Sequence, residues 1–79
     1  MAQRLSELKL GQKGLISKVD ASENEAKARL MAMGILEGSS VELMHHAPFG
    51  GDPLAIQVRG SLIALHRKEA AQIWVEVAK

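Results

Sequence analysis

Residues 54–66 read Leu54-Ala55-Ile56-Gln57-Val58-Arg59-Gly60-Ser61-Leu62-Ile63-Ala64-Leu65-His66 and hold the clearest strand pattern of the chain. Leu54, Ile56 and Val58 alternate with other residues, which places them on one face of a strand. Gly60-Ser61 is a two-residue turn signal of the kind that joins antiparallel strands. The segment is therefore predicted as a β-hairpin, with strands over residues 54–59 and 61–66.

Three more segments are predicted as strands around this hairpin. Residues 12–19 alternate imperfectly, residues 40–46 alternate better, and residues 73–77 turn Ile73, Val75 and Val77 inward. The residues between 46 and 54 hold two prolines and two glycines and are predicted as a loop. Five short strands favour a small closed barrel, because closure leaves no strand edge exposed.

Helical signals occur at three places in this mainly β pattern. The main one predicts a helix over about residues 22–34, with Ser22 as the N-cap of a capping box and Glu25 at its third position. Gly34 stands where a left-handed C-cap glycine belongs. A short helical turn is predicted after Leu65 and before the last strand, and the Leu5/Leu8 spacing allows one turn near the start.

Composition limits the function classes. The 79 residues suffice for one domain, residues 1–79, and the absence of cysteine excludes disulfides and thiolate metal sites. The net charge is +1, the basic residues are scattered, and Phe49 and Trp74 are the only aromatics, so nucleic-acid binding is not expected. No segment predicts a signal peptide or a membrane span, and we expect a soluble cytoplasmic protein without membrane insertion.

The predicted helix offers a candidate contact surface. At 100° per residue, Ala26, Leu30 and Met33 share the face that packs on the barrel, so Met31 is predicted to be at least partly exposed. An exposed methionine is either an ordinary surface residue or an adaptable partner contact. The contact interpretation gains weight if Ile35 or Leu36 forms a patch with Met31.

Trp74 is the other candidate for partner binding. It alternates with Ile73 and Val75 and is therefore predicted to point away from the barrel interior. It either covers the Leu5/Leu8 turn or anchors a protein interface.

Two adjacent histidines, His45 and His46, are candidate metal ligands. Neighbouring strand residues point to opposite faces, which puts His45 on the Val41/Leu43 face and His46 on the Glu42/Met44 face. One ion therefore needs further ligands, for which Glu42, Asp52 and His66 are the candidates. The simpler interpretation is polar strand ends beside a loop. No catalytic motif is present, and neither a cofactor nor enzymatic activity is expected.

The order of residues along nearly the whole chain also carries a family pattern. Its positions are Leu5, Leu8, Gly11, Gly14 and Ile16; Leu30, Met33-Gly34-Ile35, Gly38 and Val41; Ala47-Pro48, Gly50 and Asp52-Pro53; and Ile63-Ala64-Leu65, Glu69-Ala70, Ile73 and Val75. The chain resembles the FeoA family of bacterial ferrous-iron-transport accessory proteins. His66 stands where such proteins commonly have arginine, and Phe49 where they tend to have smaller or aliphatic residues.

The resemblance implies an SH3-like barrel of about five strands with one inserted helix. It also implies a cytosolic partner of the ferrous iron transporter FeoB, which carries a GTP-binding domain. The expected function is thus a protein–protein interaction module for iron uptake, with self-association left open. The alternatives are a divalent-metal sensor or regulator, related to the SH3-like domains of metal-dependent repressors, and a detached domain of a transcriptional regulator.

Overall fold

Six antiparallel strands form one sheet in the computed structural model, which describes residues 2–47 and 50–77. The strands are β1 (Ala2–Arg4), β2 (Lys13–Val19), β3 (Ser40–His46), β4 (Leu54–Val58), β5 (Ser61–Leu65) and β6 (Ile73–Val77). The helices are α1 (Asn24–Ala32) and α2 (Arg67–Ala70), and a 3-10 turn spans Leu5–Glu7. The sheet order is β1-β6-β2-β3-β4-β5.

The sheet differs from the prediction in strand number and in closure. All five predicted strands are present, and the sixth, β1, pairs with β6 through Gln3↔Val75 and its neighbours. Because β1 has no apolar alternation, only its partner strand reveals it. Within the described residues β1 and β5 remain the two edges of the sheet, so the predicted closed barrel is an open one.

The β4–β5 turn lies one residue earlier than predicted. Val58 pairs with Ser61, which leaves Arg59 and Gly60 as the turn rather than Gly60 and Ser61. Their φ angles are 51° and 83°. A type I′ hairpin turn requires positive φ at both central residues, a conformation that is easy for glycine and strained for arginine.

A β-bulge explains the imperfect alternation of β2. Ile16 pairs with Val75 of β6, but Lys18 pairs with Trp74, so Ser17 is an extra residue in the ladder. The bulge lets Ile16 and Val19 both face the core although they are three residues apart.

The core consists of apolar side chains alone among the described residues. The inward residues predicted for β4 and β6 are all buried, as are Leu5 and Leu8. The core residues are Leu5, Leu8, Ile16, Val19, Leu30, Ile35, Val41, Leu43, Leu54, Ile56, Val58, Leu65, Ala70, Ile73, Val75 and Val77. Gly14 lets β2 approach β6 closely, since a Cβ there would lie 2.4 Å from Val75 Cγ1.

Helix α1 begins without the predicted capping box. Its N-cap is Glu23, and no side chain makes a cap hydrogen bond, so the prediction that Ser22 caps the helix is wrong. The other end is as predicted: Gly34 has φ 93°, and the Ile35 N–H donates to the Leu30 carbonyl at 3.0 Å. With the Gly34 N–H bonded to the Met31 carbonyl, this is a Schellman motif.

The segment that carries α1 leaves and rejoins the sheet at one place. The Ile16 N–H donates to the Ser39 carbonyl at 2.8 Å, and the Gly38 N–H donates to the Ile16 carbonyl at 2.7 Å. The insertion between β2 and β3 is therefore closed at its base by backbone hydrogen bonds, and α1 stands outside the sheet.

Candidate functional site

A groove of about 390 Å³ runs beside α1, between the helix and the end of β2. We call it the α1 groove; its lining residues are Val19, Lys27, Met31, Ile35, Leu36 and Glu37. Val19 and Ile35 are buried and form an apolar floor. The structure thus brings three of the four predicted partner-contact residues, Met31, Ile35 and Leu36, to one groove, where Ile35 lies in the buried floor.

Met31 and Ile35 have opposite positions in this groove. Met31 is 48% exposed, as its place on the helix predicts. Ile35 is 0% exposed, so it is not a surface contact. The Schellman motif explains this burial, because it folds the residue after Gly34 back over Leu30, and both side chains belong to the core. Leu36 is half-buried and completes the apolar wall.

Two charged side chains stand at the rim of the α1 groove. Lys27 lies one helical turn before Met31, and Glu37 follows the end of the helix, so the charges bracket Met31 along the chain. Within residues 2–47 and 50–77 neither side chain makes an ion pair or a hydrogen bond. Arg29 of the same helix, in contrast, is paired with Glu69 of α2.

Trp74 is half-buried on β6, next to β1. The guanidinium carbon of Arg4, its cross-strand neighbour, lies 5.2 Å from the centre of the ring. This cation–π contact covers one face of the indole. Trp74 is therefore covered in part by β1, a strand that the sequence did not predict.

The predicted face of His45 is wrong because β3 contains a second β-bulge. Leu43 pairs with Ile56 of β4, but His45 pairs with Ala55, so Met44 is the extra residue. Directly paired residues of neighbouring strands point to the same side. His45 therefore lies on the side of Ala55 and not, as predicted, on the side of Leu43.

The other candidate metal ligands have separate neighbours. Glu42 lies opposite Gln57, with its carboxylate 3.9 Å from the Lys13 ammonium. Asp52 accepts a hydrogen bond from the backbone N–H of Arg67 at 2.9 Å and lies 3.3 Å from His66 Nδ1. In the part of the chain that the structure describes, no three His, Cys, Asp or Glu side chains are grouped to hold a metal ion.

Arg67 makes a set of contacts that the sequence analysis did not foresee. Its Nε donates to the Gly51 carbonyl at 2.9 Å and its Nη1 donates to the Ser6 carbonyl at 3.2 Å. The arginine thereby ties α2 to the loop before β4 and to the 3-10 turn. Ser6 is far away in sequence, so no local pattern indicates this contact.

Glu69 supports the start of α2 and also reaches α1. Its Oε1 accepts the backbone N–H of His66 at 3.1 Å, while its Oε2 pairs with Arg29. The three-residue spacing between His66 and Glu69 is that of an N-cap and its third helical position, and it could have indicated this end. The prediction about Phe49 falls on a residue outside the described ones.

Comparison with known proteins identifies the pattern. A family model described as the FeoA domain matches residues 3–77. The solution structure of FeoA from Chlorobium tepidum is 34% identical, with a TM-score of 0.89 and coverage of 98% of this chain and 71% of that one. A search of curated protein sequences found no match.

Two further structures share the fold, and one of them is described as an SH3 domain. Stenotrophomonas maltophilia FeoA complexed with zinc is 31% identical, with a TM-score of 0.80 and coverage of 96% of this chain and 89% of that one. It is described as a prokaryotic SH3-domain protein and a candidate ferrous iron transport activating factor. A manganese-dependent transcriptional repressor has a TM-score of 0.87 at 18% identity, over 98% of this chain and 42% of that one, which shows likeness of fold alone.

The helices give no sign of a membrane span. None of those found in residues 2–47 and 50–77 is long and apolar enough to cross a bilayer.

Proposed function

Since the chain belongs to the FeoA family, we propose that it is a small cytosolic accessory protein for ferrous iron uptake. It acts as a protein–protein interaction module on the cytosolic part of a FeoB-type transporter. It catalyses no reaction itself and is recruited to the inner face of the membrane through the transporter.

The observation that carries this proposal is the family match over residues 3–77. The match spans both helices and every strand from β2 to β6, so the resemblance concerns the fold and not one motif. The Stenotrophomonas protein described as a candidate iron transport activating factor supports the same role.

The proposed contact surface is the α1 groove. Met31 and Leu36 supply its accessible apolar side chains, and Ile35 supports them from below. Trp74 is the second proposed contact, although Arg4 occupies one face of its ring. Other large apolar side chains are also exposed but do not line the groove, namely Leu10, Leu15 and Leu62. The apolar residues of the groove differ from these in being grouped, and a contiguous apolar patch is typical of partner-binding sites.

A binding experiment tests the proposal. The full chain is immobilised and exposed to the cytosolic region of the FeoB-type transporter from the same organism, with and without a GTP analogue and Fe(II). We expect retention of the transporter region, and any nucleotide dependence identifies the state that is recognised. Failure to bind both this region and the detergent-solubilised whole transporter, in every nucleotide state, contradicts the proposal.

The alternative function, a divalent-metal sensor, is supported by no observation as strong as the family match. The likeness to a metal-dependent repressor concerns the fold alone, and the zinc belongs to the Stenotrophomonas structure. Titration calorimetry with Fe(II) and Mn(II) separates the two functions. Micromolar binding that His45→Ala or His46→Ala abolishes would favour the sensor.

A further inference from the structure

We propose that the α1 groove receives one large apolar side chain of the transporter, flanked by an acidic group that faces Lys27 and a basic group that faces Glu37. This inference rests on the proposed function and adds the chemistry of the partner. It follows from the shape of the groove, its apolar floor and the two charges at its rim.

The shape of the groove favours a partner from which a side chain protrudes. The groove is concave, and its volume of about 390 Å³ lies in the lower part of the range of clefts that bind ligands in proteins. Two copies that meet through the same groove face each other with a gap between them, so a symmetric pairing of two grooves does not fill it. A side chain that projects from a partner segment fills it instead, as in the helix-in-groove mode of recognition.

The floor and wall of the groove select an apolar group. Val19 and Ile35 are buried beneath it, and Leu36 forms one wall. Met31 is 48% exposed, and its unbranched thioether adapts to ligands of different shape. Burial of a large aliphatic or aromatic side chain here removes apolar surface from water on both partners.

The two charges at the rim favour particular charged groups on the partner, on either side of the apolar side chain. Lys27 and Glu37 bracket Met31, and neither has a side-chain partner among the described residues. Rim charges of this kind contribute to specificity and association rate more than to affinity, and salt screens them. A partner with an acid near Lys27 and a base near Glu37 complements both, whereas the reversed order meets repulsion at both ends.

The test compares groove variants against the whole FeoB-type transporter, solubilised and immobilised. Met31→Glu places a charge in the apolar groove, and we expect affinity to fall more than about tenfold at every salt concentration. Met31→Leu keeps the apolar contact and is expected to bind within about twofold of the unchanged protein. Leu62→Glu is the matched control, because Leu62 is 62% exposed on β5 and does not line the groove.

The charge assignment has its own variants. Lys27→Glu and Glu37→Lys are each expected to weaken binding about three- to tenfold at low salt, and the loss should shrink below about twofold in 0.5 M salt. Lys9→Glu changes the net charge equally at an exposed position outside the groove and controls for it. Effects of Lys27→Glu and Lys9→Glu that are equal would overturn the charge assignment.

The outcomes separate this inference from the proposed function. If the unchanged protein does not bind the transporter, the proposed function fails. If it binds, but Met31→Glu behaves like Leu62→Glu, the groove inference fails while the proposed function stands. Analytical ultracentrifugation of the protein alone tests whether a second copy of this chain fills the groove instead. If the protein forms a dimer that Met31→Glu dissociates, a second copy fills the groove and the proposal is wrong.

Discussion

The two helices are held to the sheet in opposite ways. α2 has four residues, yet Asp52 accepts its first N–H, Glu69 accepts the N–H before it, and Ala70 is completely buried. α1 has nine residues, but no side chain caps its N-terminus and only Leu30 is fully buried. The short helix is thus fixed by polar contacts at its start, whereas the long one is held by the burial of Leu30, by its C-terminal motif and by the ion pair from Arg29 to Glu69 of α2.

This difference indicates a division of roles. Elements with few buried contacts occupy the low-stability end of a structure, and binding surfaces are often drawn from it. α1 stands outside the sheet and carries the groove, whereas α2 joins the 3-10 turn to the loop before β4. We therefore expect substitutions of the buried or hydrogen-bonded residues of α2 to change stability, and most substitutions on the outer face of α1 to change binding.

Leu30→Ala should give the largest effect, because it removes the one fully buried side chain of α1. Truncation of a buried leucine typically costs about 2–5 kcal/mol of unfolding free energy. Urea denaturation followed by circular dichroism measures it. Met31→Ala, one residue away but exposed, is the control and should change stability by less than about 0.5 kcal/mol. Equal losses in the two variants would mean that α1 is not anchored through Leu30.

Arg67→Ala should come next and would show how much α2 depends on polar contacts. It leaves the Gly51 and Ser6 carbonyls without their donor, at a cost of about 1–3 kcal/mol in thermal or urea unfolding. Lys68→Ala is the matched control, since Lys68 is an exposed neighbouring cation. If both variants are equally stable, the contacts of the arginine do not stabilise α2, and the contrast between the helices loses its basis.

Ser22→Ala should have the smallest effect. An N-cap serine is worth about 1 kcal/mol, but Ser22 makes no cap hydrogen bond, so we expect a change within about 0.5 kcal/mol. Glu69→Ala is the comparison, because it removes the carboxylate that accepts the His66 N–H and pairs with Arg29. A loss near 1 kcal/mol for Ser22→Ala would instead support the predicted capping box. The start of α1 would then be stabilised by a side-chain cap, as the start of α2 is.

The sequence predicted what local periodicity determines. Leu54, Ile56 and Val58 face the core as their alternation required, and Gly34 ends α1 with positive φ. The exposure of Met31 followed from its angle on the helix. Ile35 was predicted as a contact residue in a patch with Met31 and is buried instead. That prediction overlooked that an apolar residue directly after a C-cap glycine commonly packs against the last turn.

The remaining features depend on pairing between distant segments. Ser17 and Met44 are bulged only in relation to the strands beside them, so the face of His45 could not be read from β3 alone. β1 is a strand because β6 offers it an edge. Arg67 reaches Ser6 across most of the chain, and such contacts leave no periodic trace.

The closed base of the α1 insertion makes this region suitable for engineering. Because Ile16 bonds to both Gly38 and Ser39, the register of β2 and β3 is set below the helix and not by its length. Loop-closure entropy grows slowly, by about 0.6 kcal/mol for each doubling of loop length. Provided that Leu30 and Ile35 stay in the core, the insertion can therefore be treated as a cassette, in which a longer helix, a fluorescent label or a designed recognition sequence is carried on its exposed positions.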